Sequence, residues 1–393
     1  MTQSVYVVSA VRTPIGSFQG ALSSVSAPRL GAVVITKALE RAKLRPEDVQ
    51  EVFMGNVVGA GIGQAPARQA AIFANLPASV PCTTINKVCG SGMQAVIFGT
   101  KTLRLGDADI VVAGGIESMS RIPYYLPAAR DGMRMGDGKV VDGMIFDGLW
   151  DPYGNQHMGM FGEKCAKEFG FTREAQDAFA VESYRRALEA QKQGKFDAEI
   201  VGVEVPQRKG EPVVVQVDEE PARGNPSKMA QLRPAFAKDG TITAANASKI
   251  DDGACAMVLA TDEAVKKHGL VPLARVVGYA GVAQDPAWFT TAPAAAIDKT
   301  LTTLGLKTQD IDLFEINEAF AVVTMHSIQA CKLDPEIVNV HGGAVSLGHP
   351  IGCSGARITT TLLHAMLDRK VKRGLATLCI GGGEALAVVL ETI

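Results

Sequence analysis

Two stretches of this chain, 262 positions apart, read as copies of one another. Leu39-Glu-Arg-Ala-Lys-Leu-Arg-Pro-Glu-Asp-Val-Gln-Glu-Val-Phe53 aligns with Leu301-Thr-Thr-Leu-Gly-Leu-Lys-Thr-Gln-Asp-Ile-Asp-Leu-Phe-Glu315. Leu39 and Leu44 fall on Leu301 and Leu306, Asp48 falls on Asp310, and the apolar strand positions that follow coincide. The register continues: Ser91-Gly92 meets Ser354-Gly355 at an offset of 263, and Val112-Ala-Gly-Gly115 resembles Leu378-Cys-Ile-Gly-Gly-Gly383 at a slightly larger shift. Matches at nearly one offset mean two similar units in one chain. If the units pack about a pseudo-twofold axis, equivalent turns face each other. The turn holding Cys89 is then the counterpart of the turn holding His349 and Gly352.

Within the units, strands alternate with helices. Val5–Val8, Glu51–Val58 and Ile110–Ala113 read as strands, the last ending at Gly114-Gly115. Leu30 to Ala42, Gln64 to Ala74 and Met93 to Leu105 carry helical patterns. Cys255–Ala260 and Leu313–Ile316 are further strands, and Ile358 to Leu367 a further helix. The rhythm predicts an α/β fold with a mainly parallel sheet. Residues 119–249 break it: six of the thirteen methionines lie between Met119 and Met160. A helix over Thr172 to Gln193 is expected to carry Ala178, Val181 and Leu188 on one face, and a polar, proline-rich tract follows, Pro206 to Pro234. The predicted organisation is a first half at 1–118, completed by 250–271, a loop domain at 119–249, and a second half at 272–393.

At 393 residues, 47% apolar and with a net charge of -2, the chain is an ordinary globular one too long for a single core. No basic excess supports nucleic-acid binding, and no apolar run reaches membrane-spanning length. The N-terminus lacks the basic region of a signal peptide, and Leu-Glu-Thr-Ile at the C-terminus is not a peroxisomal address. Seven widely spaced cysteines without a Cys-x-x-Cys pair argue for reduced thiols in the cytoplasm, against a disulfide scaffold or a zinc site.

Four segments carry residues suited to chemistry. Cys89, in Asn86-Lys-Val-Cys-Gly-Ser-Gly, precedes a helix whose N-terminal amides favour a thiolate. His349, in the glycine-rich turn Gly348-His-Pro-Ile-Gly, is placed to take a thiol proton or to meet an oxyanion. Cys379 stands at a strand end running into Gly381, whose N–H is a candidate oxyanion donor. Asn317 follows the strand Leu313–Ile316 and could orient a water or bind a carbonyl oxygen. On local grounds each also reads as structural: a buried cysteine, a turn histidine, a core strand thiol, a helix start. His157 reads as a binding residue, while His268, His326 and His364 read as helix-surface residues. The glycines 381–383 lack dinucleotide spacing, and there is no Walker or His-Glu-x-x-His sequence.

Together Asn86-x-x-Cys89-Gly-Ser-Gly, Asn317-Glu-Ala-Phe320, Gly342-Gly-Ala...Gly348-His349-Pro-Ile-Gly...Gly355-Ala-Arg and Cys379-Ile-Gly-Gly-Gly resemble the thiolase family. The likeness spans essentially the whole chain, including Gly114-Gly-Ile-Glu-Ser-Met-Ser120 and Ala244-Ala-Asn-Ala-Ser248. The central segment is most similar to the acetyl-CoA acetyltransferase branch.

The resemblance implies duplicated α/β halves in a five-layer αβαβα core, an inserted loop domain that binds coenzyme A, and a homotetramer (a dimer of dimers). It implies a two-step reaction. Cys89, activated by His349, takes an acetyl group from acetyl-CoA. Cys379 then removes a Cα proton from a second acetyl-CoA, whose carbanion attacks the acetyl-enzyme. His349 with an Asn317-held water would form one oxyanion hole, and the N–H groups of Cys89 and Gly381 the other. The pantetheine is expected to pass Leu149, His157, Ser248, Ala319 and Phe320. Arg223 and Lys228, with Ala235 and Phe236 in the same tract, would meet the rest of coenzyme A. No tightly bound cofactor or metal is implied; acetyl-CoA and acetoacetyl-CoA are substrates. Three alternatives remain open: a thiolase acting on longer 3-ketoacyl-CoA chains, a non-catalytic acyl-CoA binder, and a cysteine hydrolase using Cys89 and His349 alone.

Overall fold

The computed structural model describes residues 3–393. In the first half β1 (Val5–Arg12) leads to α1 (Ala27–Ala42), β2 (Glu51–Gly55), α2 (Pro66–Phe73), β3 (Cys82–Ile85), α3 (Ser91–Leu105) and β4 (Ile110–Ser118). The excursion follows, with α4 (Gly159–Phe169) and α5 (Arg173–Lys192), and β5 (Asp251–Thr261) closes this half. The second half runs β6 (Ala274–Ala283), α6 (Ala292–Leu304), β7 (Leu313–Ile316), α7 (Ala321–Cys331), α8 (Ala344–Leu347), α9 (Ile351–Arg369), β8 (Arg373–Ile380) and β9 (Glu384–Thr392).

The strand order is β7-β8-β9-β6-β1-β5-β4-β2-β3. Outward from the β1–β6 junction, β1-β5-β4-β2 mirrors β6-β9-β8-β7, with β3 an extra edge strand on the first side, so the repeat seen in sequence is a repeat of topology. The expectation of a mainly parallel sheet is corrected: only β2 with β3, β2 with β4, and β7 with β8 pair in parallel. The central pairs are antiparallel: β4 with β5, β5 with β1, β1 with β6, β6 with β9, and β9 with β8, the last a direct hairpin. The halves join where Tyr6 and Val7 pair with Arg275 and Ala274.

Side chains alternate along the strands, and both faces are buried. Ala254, Ala256, Val258 and Ala260 of β5 pack under α1 and α2, whereas Met257 and Leu259 face α3 and α9. In β9, Ala385, Ala387 and Val389 face α6, and Leu386, Val388 and Leu390 face the central helices. The layers are therefore helices, half-sheet, the α3/α9 pair, half-sheet, helices. α3 and α9 meet at a close approach: a Cβ on Gly92 would lie 2.8 Å from the amide nitrogen of Ala356.

Three local expectations change. β4 does not end at Gly114-Gly115 but runs through both; a Cβ on Gly115 would lie 2.2 Å from the Gly352 carbonyl oxygen, so the strand stays open to let α9 approach. The helix over Arg173–Lys192 buries Gln176, Asp177, Ala180, Ser183, Tyr184 and Ala187, while Ala178, Val181 and Leu188 are exposed. Its inward face is small and polar because it meets α8 through Ser183 Oγ and Ser346 Oγ, 2.9 Å apart. His326 is buried rather than on the helix surface, with its ring 4.4 Å from that of Phe169. The excursion is tied to β1 by the buried Arg12 guanidinium, which donates to Asp218 Oδ1 at 2.6 Å and Glu199 Oε1 at 2.6 Å. Among the described residues no helix is long and apolar enough to cross a membrane.

Candidate active site

A cavity of about 780 Å³ opens where the ends of α3 and α9 meet the excursion. Val88, Cys89, His349 and Gly381 line its inner end; Leu149, His157, Met158, Phe236, Ser248, Phe289, Ala319 and Phe320 line its walls. The size and the mixture of apolar walls with a few polar groups suit a small-molecule ligand. Cys379 and Asn317 are fully buried just behind the lining. Arg223, Lys228 and Ala235 are exposed and lie outside the lining.

Cys89 is presented by a constrained turn. Val88 has φ of 47°, the left-handed region that a β-branched residue rarely enters. Asn86 Oδ1 accepts from the Val88 N–H at 3.0 Å, and Asn86 Nδ2 donates to the Val57 carbonyl at 3.1 Å. Ser91 Oγ accepts from the Lys87 N–H at 2.8 Å and donates to the Val88 carbonyl at 2.7 Å. Burial pushes the thiol up to about 11, against the pull of the N–H groups of Gly381 and Cys89 itself. The helix terminus does not give the resting thiolate expected from sequence, because desolvation outweighs it. Cys379 is held well above an ordinary thiol by burial and by the neighbouring Cys89.

His349 is held on every side. Its N–H donates to Asp251 Oδ2 at 2.7 Å, its Nδ1 lies 2.6 Å from Ser354 Oγ, and its Nε2 lies 3.5 Å from Asn317 Nδ2. Ser354 Oγ also donates to the Pro350 carbonyl at 2.8 Å. These contacts fit one proton arrangement: Nδ1–H donates to Ser354, and the Nε2 lone pair faces Asn317. Burial, then the nearby Arg357, lowers the imidazole to about 3. The resting pair is thus a neutral thiol and a neutral base.

Glu117, which the sequence did not single out, ties the start of α9 to the loop after β2. It accepts from the Gly352 N–H at 2.9 Å, the Val57 N–H at 3.0 Å and Asn56 Nδ2 at 2.8 Å. In the cavity wall, the His157 ring stacks on Phe236 at 4.6 Å, and His157 Nδ1 accepts from the Gly159 N–H at 3.1 Å.

The family models for the thiolase N-terminal and C-terminal domains match residues 5–263 and 255–392. The chain belongs to the thiolase family. An acetyl-CoA acetyltransferase from Cupriavidus necator is 54% identical over 98% of this chain and 99% of its own length. One from Schizosaccharomyces pombe is 50% identical over 99% of each. The crystal structure of Acat5 thiolase from Ascaris suum in complex with coenzyme A superimposes with a TM-score of 0.95, at 47% identity and full coverage of both chains. The duplicated, layered α/β architecture implied by the sequence motifs is thus the fold of the family.

Signals for the missed residues were present in part. Glu117 lies inside the quoted Gly114-Gly-Ile-Glu-Ser-Met-Ser120 segment, and Ser354 inside the repeat. No local pattern marks Asp251 as the partner of His349.

Proposed function

We propose that this thiolase is an acetyl-CoA C-acetyltransferase, carrying out the reversible Claisen condensation of two acetyl-CoA to acetoacetyl-CoA and coenzyme A. One observation carries the reading: Cys89 stands in the cavity lining and a second thiol, Cys379, is buried behind that lining, close enough for Cys89 to help hold it protonated. A hydrolase needs one nucleophile, whereas a Claisen condensation needs a nucleophile and a separate carbon base. The full-length likeness to enzymes named acetyl-CoA acetyltransferase favours this over action on longer 3-ketoacyl chains. The apolar bulk of Phe289 and Met158 in the wall agrees with a short acyl group.

His349 Nε2 takes the Cys89 proton as sulfur attacks the thioester carbonyl. The developing oxyanion meets the N–H groups of Cys89 and Gly381, and the departing coenzyme A sulfur takes the proton of Cys379, which leaves Cys379 a thiolate and His349 protonated at Nε2. A second acetyl-CoA then loses a Cα proton to the Cys379 thiolate, and its carbon attacks the acetyl carbonyl, forming the carbon–carbon bond and releasing Cys89, which takes its proton back from His349. The enolate oxygen accepts from the protonated His349 Nε2 and from a water held by Asn317, whose buried Oδ1 has no hydrogen-bond partner among the described residues. Leu149, His157, Phe236, Ser248, Ala319 and Phe320 guide the pantetheine. The exposed Arg223 and Lys228, with Ala235, belong to the outer reach of coenzyme A. Three further readings complete the proposal: a loop domain at 119–249 between halves at 1–118 and 272–393, a homotetramer, and a cytoplasmic location. Exposed Tyr124, Leu126, Met133, Met135 and Val140 give a second copy apolar surface to cover, and seven unpaired cysteines fit a reducing compartment.

The test is direct. Purified protein with acetoacetyl-CoA and coenzyme A should yield acetyl-CoA, and Cys89→Ala should abolish it. Cys379→Ala should still release coenzyme A once per site from acetyl-CoA while condensation falls by at least about 100-fold. Turnover surviving Cys89→Ala would overturn the reading.

A further inference from the structure

Helix α8, Ala344-Val-Ser-Leu347, stops after four residues, where Gly348 at positive φ and the His349-Pro350 pair follow. The Leu347 N–H donates to the Gly343 carbonyl at 2.7 Å, and the Gly348 N–H to the Ala344 carbonyl at 3.0 Å. The next bond of the helix would join the His349 N–H to the Val345 carbonyl. That bond is absent, and both of its halves are taken by side chains. Asp251 Oδ2 accepts from the His349 N–H at 2.7 Å, and Lys249 Nζ donates to the Val345 carbonyl at 2.9 Å. Lys249 Nζ also donates to the Ala247 carbonyl at 2.7 Å. Lys249 and Asp251, two residues apart, thus reach the end of α8 from one stretch of chain.

We propose that Lys249 and Asp251 are positioning residues that divide one helical hydrogen bond between them where α8 ends, and so hold His349 toward the cavity. Gly348, at φ of 109°, supplies the backbone turn. It leaves no room for a side chain, since a Cβ there would lie 2.5 Å from Asp251 Oδ2. Glu318 Oε2 accepts from the Val345 N–H at 3.1 Å, so both polar groups flanking Val345 are held by charges. Charge-assisted bonds of this kind hold a backbone more tightly than neutral ones. Burial lowers Lys249 to about 8, while Glu220, Asp251 and Glu318 oppose the loss of its proton.

The inference rests on His349 as the base of Cys89, and one experiment separates the two. The rate of Cys89 alkylation by iodoacetamide is measured in wild type, His349→Ala, Lys249→Ala and the double variant. His349→Ala should slow alkylation by about 10- to 100-fold. Lys249→Ala should slow it to a similar degree, and the double variant no further, because the lysine acts through the histidine. Ammonium or n-propylammonium should restore most of the Lys249→Ala rate. Neither should restore Lys249→Met, whose apolar chain fills the same space. No change in His349→Ala would sink the reading of His349 as base. Slowing by His349→Ala alone, additive slowing in the double variant, or a folded Lys249→Ala protein that no small cation restores would each overturn the positioning role.

Discussion

Gly92 and Gly355 occupy equivalent places in the two halves and meet where α3 and α9 cross. A Cβ on Gly355 would lie 2.5 Å from the Met93 amide nitrogen, and one on Gly92 3.0 Å from the Cys353 carbonyl oxygen. The contact is backbone on backbone, so neither helix can yield by a rotamer change. It sets how far apart the helix N-termini stand, and with them Cys89 and His349.

Gly355→Ala should therefore destabilise the fold by about 1–3 kcal/mol through overpacking. The expected signature is a lower guanidinium midpoint with an unchanged slope. A wild-type midpoint would mean that the helices separate at no cost.

Ser354→Ala removes the only side-chain partner of His349 Nδ1 among the described residues. Its effect should fall on kcat, by about 10- to 100-fold, with little change in stability or in KM. Ser354→Thr keeps the hydroxyl and should recover most of the rate. Equal rates in wild type and Ser354→Ala would remove the hydroxyl from the account of how the ring is held.

His349 predicts an acid limit on stability. Its imidazole is lowered to about 3 in the folded state, against an ordinary 6.5. Above pH 6.5 neither state binds the proton and there is no contribution. As pH falls below that value the unfolded chain takes a proton that the folded chain refuses until about pH 3, so stability falls. Relative to His349→Gln, wild type should lose about 1.4 kcal/mol per pH unit across this window. Parallel stability curves for the two proteins would contradict the buried neutral imidazole.

Much of the fold was legible because burial leaves a periodic mark. Strand and helix cores such as Val5–Val8 and Met93 to Leu105 stood out by their apolar spacing, and the repeat exposed the duplication. Errors gathered where packing overrides local preference. Gly114 and Gly115 looked like a strand end, but their missing side chains serve the approach of α9. The inward face of α5 gives a diluted hydrophobic signal, because Gln176, Asp177 and Ser183 are interspersed with Ala180, Tyr184 and Ala187.

Sequence by itself determined the duplication, the alternation of helices and strands, and the residue types at Cys89, His349, Cys379 and Asn317. Each of these is written in short-range pattern or in a repeat that survives along the chain. Tertiary structure alone decided the antiparallel centre of the sheet, the neutral resting states of Cys89 and His349, and the pairing of Asp251 with His349. Those outcomes depend on desolvation and on which backbone groups meet in space. Neither quantity is carried by a residue until the distant parts of the chain have packed around it.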